Sequence, residues 1–139
     1  MKKIIDATDC IAGRLASHVA KELLRGNEIY IVNAEKAVIT GNKSFVINHF
    51  KEKISRGDPY HGPFYPRKPE RILKRIVRGM LPYKKPRGRE AFKRLKVFIS
   101  VPDELKNEDK IKIKNLINKS ERYITLGELS EKLGAKKLW

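Results

Sequence analysis

The sequence predicts an α/β fold, and three observations carry that expectation. A short β-branched run, a helix with one apolar face and a second β-branched run follow each other within the first 32 of 139 residues. Lys3 to Asp6 reads as a strand, followed by a turn through Thr8 and Asp9. A helix is expected from Ala12 to Leu24, because Leu15, Ala16, Val19, Ala20, Leu23 and Leu24 share one face at a period of 3.6 residues. Gly26 suits the left-handed residue that ends such a helix. Glu28 to Val32 is β-branched and aromatic, as a buried strand is. Together they form a βαβ unit, for which a right-handed parallel crossover is the strong default.

Further along, Ala37 to Thr40 adds a short strand before Gly41. A second helix is expected from Asn42 to Lys53, burying Phe45, Val46, Phe50 and Ile54. The glycines and prolines of Ser55 to Lys68 exclude a regular element. Pro69 suits the first turn of a third helix, Glu70 to Arg78, which Gly79 ends. That helix sets Ile72, Leu73, Ile76 and Val77 on one face and Arg71, Lys74, Arg75 and Arg78 on the other. Leu81 to Arg89 reads as a basic loop, followed by a short helical turn at Ala91 and a strand from Leu95 to Ser100 that Pro102 stops. The alternating acids and lysines of Asp103 to Lys119 read as an exposed connector. Thr125 and Glu128 match a capping box that opens a short helix to Leu133, closed by Gly134.

The length fits one domain spanning residues 1–139, with a core of ordinary size. Hydrophobic residues make up 40%, enough to fold, while charged residues at 35% exceed the usual ~25%. A single cysteine, Cys10, excludes an internal disulfide framework and a cysteine-cluster metal site. No apolar run approaches the roughly 20 residues that span a bilayer, and none resembles a signal peptide, so a soluble, cytoplasmic protein without membrane partners is expected.

The charge is unevenly placed. Residues 51–96 hold sixteen of the 32 Lys and Arg residues but four of the 16 acids, a net +12 of the chain's +16. Charge concentrated in one contiguous third describes a surface built to meet a polyanion, and nucleic acid is the first candidate. Anionic lipid fits less well, because the aromatics sit in a Pro/Gly-rich loop instead of on an amphipathic helix.

Catalytic motifs do not materialise. The Asp6–Leu15 turn resembles a dinucleotide-binding turn in outline, but Gly13 is its only glycine. Gly41-Asn42-Lys43-Ser44 lacks the upstream glycine of a phosphate-binding loop and reads better as a helix N-cap at Asn42. His18, His49 and His61 share no metal-ligand spacing. No catalytic residue, metal, cofactor or small-molecule substrate is expected.

The loop Arg56–Lys68 sharpens the nucleic-acid reading. Fixing thirteen residues costs ~13–26 kcal/mol of backbone entropy. Tyr60, Phe64, Tyr65 and the prolines are too few to offset that in a core, so the loop is expected to be loose until RNA orders it. The three aromatics can stack on bases at ~1–3 kcal/mol each, beside His61, while Arg56, Arg67 and Lys68 neutralise phosphates. The cationic stripe Arg71, Lys74, Arg75 and Arg78 extends the surface, as do Lys84, Lys85, Arg87, Arg89, Lys93 and Arg94. Arg14 and Lys43, each at a helix start, complete the candidate contacts.

The chain resembles the universal large-subunit ribosomal protein family numbered thirteen, in its archaeal and eukaryotic style. The segments that carry the likeness are Gly13-Arg14-Leu15-Ala16-Ser17, Val32-Asn33-Ala34-Glu35-Lys36, Thr40-Gly41, Gly62-Pro63-Phe64-Tyr65-Pro66-Arg67, Arg78-Gly79-Met80-Leu81-Pro82 and Leu95-Lys96-Val97-Phe98. The resemblance implies a three-layer α/β/α domain around a small, mostly parallel sheet of about four strands, with a basic Pro/Gly-rich extension. It also implies a structural role in the large subunit, with ribosomal RNA and neighbouring ribosomal proteins as partners. Residues 103–139 match the family pattern less clearly, and no function is carried over to them. Two other classes stay open at this point: a small RNA- or nucleotide-acting enzyme using the Asp6–Leu15 turn, and a DNA-architectural protein.

Overall fold

A computed structural model describes residues 1–56 and 65–139. The βαβ unit is present: β1 (Lys2–Asp6), α1 (Ala12–Leu24) and β2 (Glu28–Val32), with β1 and β2 parallel in the register Ile4–Tyr30 and Ile5–Ile31. β4 (Leu95–Val97) pairs parallel on the other side of β2, giving the order β1-β2-β4. Between them in sequence lie β3 (Val38–Thr40), α2 (Lys43–Ser55), α3 (Pro69–Gly79) and α4 (Pro86–Lys93).

Both sheet faces are covered, as a parallel sheet requires. Ile5, Ile29 and Ile31 point to one face, where α1 contributes Leu15, Val19 and Leu23, α3 contributes Ile72, Leu73 and Val77, and α4 contributes Ala91. Ile4, Tyr30 and Val32 point to the other, against Phe98, Val101 and Leu105. The result is the expected three-layer α/β arrangement, with a 3₁₀ turn at Asp103–Leu105 on the thinner side. β5 (Tyr123–Thr125) pairs antiparallel with β3 and leads into α5 (Leu126–Lys132), whose N-cap Thr125 accepts a hydrogen bond from the Glu128 amide at 3.2 Å. Leu126 and Leu129 close the core from that side.

Four local expectations are corrected. Asp103 to Lys119 is not merely an exposed connector. Leu105 and Leu116 are buried, and Ile111 bridges to the free edge of β1, its amide donating to the Ile4 carbonyl at 2.7 Å. Phe45 is 70% exposed instead of buried, because α2 rests on the core through Val46 and Phe50. The strand after Leu95 ends at Val97, since the chain must reach a positive φ of 50° at Ser100. Lastly, the Leu81–Arg89 loop gives way to α4 from Pro86 onward. Pro86 is tolerated in the first turn, where its missing N–H would have no helical partner. Gly88 permits a close approach: a Cβ there would lie 2.0 Å from the Pro82 carbonyl oxygen.

Candidate nucleic-acid interface

α3 is built on two faces. Ile72, Leu73 and Val77 are fully buried against α1 and the sheet, which fixes the rotation of the helix and turns Arg71, Lys74, Arg75 and Arg78 outward. Three of these cations lie over aromatic rings. Lys74 Nζ sits 5.3 Å from the Phe92 centroid, Arg75 Cζ 5.5 Å from Tyr65, and Arg78 Cζ 4.8 Å from Tyr83. A ring face attracts a cation without neutralising it, so each head is held in place with its charge intact. Arg71, Lys74, Arg75 and Arg78 line a groove of about 410 Å³ with Tyr65, Pro66 and Phe92.

Tyr65 belongs to this wall and is not a free stacking ring. It meets Phe50 edge-on at 5.7 Å, with Lys53 Nζ 5.2 Å from its centroid. Burial raises its phenol pKa, against the opposing pull of Arg75, so the ring stays neutral at physiological pH. Two residues on, the Arg67 carbonyl accepts the Ser130 hydroxyl at 2.6 Å, which anchors the chain as it enters α3. Tyr65 and Arg67 are thus in packing and hydrogen-bond contact with α2 and α5. Tyr60, His61 and Phe64 lie outside the described residues.

The remaining candidates divide by role. Arg56, Arg67, Lys68, Lys84, Lys85, Arg87, Arg89 and Lys93 are exposed, and Arg89 is steadied by donating to the Lys84 carbonyl at 2.9 Å. Arg94 points inward instead: its Nη2 donates to the Leu23 carbonyl at 2.7 Å, capping the end of α1. Lys43 lies 3.3 Å from the Glu128 carboxylate. Arg14 is exposed and lines a different depression, of about 420 Å³, with Thr40, Lys114 and Lys119. Tyr83 and Phe92 went unnoticed in the sequence. Their signal was present, since each lies within a few residues of the basic run it supports.

Among the described residues, no ion pair involves a Lys or Arg between Arg67 and Lys96. Elsewhere five cations, Lys2, Lys3, Arg25, Lys43 and Lys106, have carboxylate partners. Glu22 is buried and accepts from Lys3 at 2.7 Å, Arg25 at 2.9 Å and Asn27 at 2.7 Å. The Lys3 hydrogen bond is the main cause that lowers its pKa, outweighing burial.

The Asp6–Leu15 turn closes on itself. The Asp6 carboxylate accepts from the Thr8 amide at 3.0 Å, the Thr8 hydroxyl at 2.7 Å and Asn33 at 3.1 Å. Burial pushes Asp6 up, but these bonds outweigh it and leave its pKa lowered. Cys10 is fully buried and burial pushes its thiol up to about 11, so it stays protonated. Asn42 caps α2 by accepting from the Ser44 amide at 2.9 Å. Among the described residues, no three His, Cys, Asp or Glu side chains gather as metal ligands.

Comparison with known proteins adds an independent finding. The family model described as ribosomal protein L13 matches residues 1–104. The chain is 53% identical over 137 residues to large ribosomal subunit protein uL13 of Methanosarcina barkeri, covering 96% of this chain and 98% of that protein. It is 54% identical over 137 residues to the protein of that name from Methanocaldococcus jannaschii, with the same 96% and 98% coverage. With the protein of that name from Haloarcula marismortui the identity is 45% over 138 residues, covering 98% and 93%. The likeness to these relatives therefore continues past Pro102.

Proposed function

The chain belongs to the ribosomal protein L13 family, and from that premise we propose that it holds ribosomal RNA chiefly through the surface of α3 and α4. It is a structural, non-catalytic component of the large ribosomal subunit, associated with ribosomal RNA and other ribosomal proteins. In this reading the whole chain acts as one domain in the cytoplasm. The nucleotide-acting alternative gains no support, since the Asp6 carboxylate is occupied by its own turn.

The observation that carries the interface is the stacking of Lys74, Arg75 and Arg78 on Phe92, Tyr65 and Tyr83. A long side chain usually loses rotamer freedom on binding. Here rings supplied by the fold already restrict the three heads, so less remains to be lost when phosphates arrive. The guanidinium forks of Arg71, Arg75 and Arg78 suit bidentate phosphate contact. Lys84, Lys85, Arg87, Arg89 and Lys93 continue the cationic surface along α4. Arg56, Arg67, Lys68, Tyr60, His61 and Phe64 stand as its extension, with Arg14 and Lys43 as outlying contacts. Recognition is mainly of RNA shape and backbone, because a folded RNA helix hides its base edges in a narrow groove.

A salt titration of binding to a large-subunit ribosomal RNA transcript tests this. Each neutralised phosphate contributes a slope of ~0.7–0.9 in log K against log salt, so about six contacts give ~4–5. A nearly flat slope contradicts the proposal.

A further inference from the structure

Phe45 has no use in the core. It stands 70% exposed on the outer face of α2, one turn before His49, and the two rings are nearly parallel, their planes 7° apart with centroids at 6.3 Å. A single exposed apolar side chain is ordinary. What is not ordinary is the company this one keeps. From His49 the rings continue edge-on to Phe50 at 5.9 Å, from Phe50 to Tyr65 at 5.7 Å, and from Tyr65 to the Arg75 guanidinium at 5.5 Å. A continuous aromatic path thus leads from the outer face of α2 to the cationic groove of α3. Along the way Lys53 Nζ lies over both Phe50, at 4.9 Å, and Tyr65. The helix itself carries Lys43, Lys51 and Lys53 against the one acid Glu52.

We propose that Phe45 and His49 form a platform on which the RNA stacks an unpaired base, extending the interface from α3 onto α2. The inference rests on the reading of α3 as an RNA surface and adds a site to it. Two parallel rings, both exposed, offer an aromatic stack that a planar base can extend, which an irregular apolar surface would not. Basic flanks favour a nucleic acid over an apolar protein segment, because the base arrives attached to a phosphate. Stacking is tolerant of base identity, so the platform supplies affinity and position with little sequence preference.

The test uses the full chain and a large-subunit ribosomal RNA transcript, with Phe45→Ala, Phe45→Leu and Phe45→Trp compared at fixed salt. Thermal melting confirms that each variant folds, as exposure of Phe45 leads one to expect. Loss of the ring in the Ala and Leu variants weakens binding about tenfold or more, while Trp stays within about threefold of the parent. The salt slope is unchanged in all three, because no charge has been removed. A Leu variant that binds as well as the parent overturns base stacking. So do variants that bind RNA normally but fail to enter assembled subunits, which would assign the patch to a neighbouring protein. Steep, salt-dependent binding by the parent with indifferent Phe45 variants sinks the platform alone. A parent that binds without salt dependence removes the α3 interface and the platform with it.

Discussion

Lysine and arginine do opposite work on two regions of this molecule. Around β1, the end of α1 and the Asp103 turn, four cations have carboxylate partners: Lys2 with Glu108, Lys3 and Arg25 with Glu22, Lys106 with Asp103. On α3 three of the four outward cations are steadied by aromatic rings, and among the described residues none of the four has a carboxylate partner. An ion pair fixes a side chain by cancelling its charge. A ring fixes it and leaves the charge available. The comparison shows how a fold can orient a cationic surface in advance without neutralising it.

The largest expected effect comes from dismantling the α3 stripe. Replacing Arg71, Lys74, Arg75 and Arg78 together by Gln lowers the salt slope by about 3 and weakens RNA binding about a thousandfold at ~0.1 M salt. The same replacement at Lys2, Arg25 and Lys106 leaves the slope within about one of the parent, and filter binding across salt compares the two sets directly. Equal losses from both sets break the comparison.

Next comes the scaffold beneath the interface. Gly88→Ala places a methyl where the Pro82 carbonyl oxygen lies 2.0 Å away, and backbone cannot yield as a flexible side chain would. The helix preference for Ala, ~1 kcal/mol, is outweighed by overpacking of about 3 kcal/mol or more. Thermal melting should fall by several degrees, and an unchanged midpoint refutes the close approach of α4 to the Met80–Pro82 turn.

On the matched side, Glu22→Gln removes a buried carboxylate that holds three donors and costs about 2 kcal/mol at neutral pH. Because the folded pKa of Glu22 is lowered, its stabilisation is present above the ordinary carboxylate range and is lost as pH falls through that lower value. The gap between parent and variant should therefore close with acid in denaturant melts taken below about pH 4. A gap that widens with acid has the wrong sign for this account. Smallest of all, Lys106→Gln opens an exposed pair to Asp103 and costs under ~0.5 kcal/mol, with RNA affinity unchanged.

The parts of this fold that local chemistry dictates were readable in advance. The β1–α1–β2 unit follows from a 3.6-residue apolar period between two β-branched runs, and the caps at Asn42 and Thr125 follow from side-chain oxygens at the right offsets. What depended on distant partners was not. The β3–β5 pairing joins two three-residue strands more than eighty positions apart, and neither run announces the other. Ile111 gave no local sign that it would extend the edge of β1, and the Pro-Arg-Gly-Arg start of α4 has no apolar period to betray a helix. The site divides similarly. The two faces of α3 were legible from spacing, whereas the inward turn of Arg94, the packing of Tyr65 on Phe50 and the exposure of Phe45 are outcomes of tertiary contact. Glu35 belongs to the same lesson. Within the Asn-Ala-Glu-Lys motif it is buried to accept the Ser100 amide at 2.9 Å, which supports a residue at positive φ.

Lysine acetylation read by mass spectrometry, on the full chain with and without large-subunit ribosomal RNA, sets the two regions against each other in one sample. The account predicts strong protection of Lys74, Lys84, Lys85 and Lys93, with Lys2 and Lys106 reacting as they do in the free protein. Protection of Lys2 and Lys106 while the α3–α4 lysines stay reactive would contradict it.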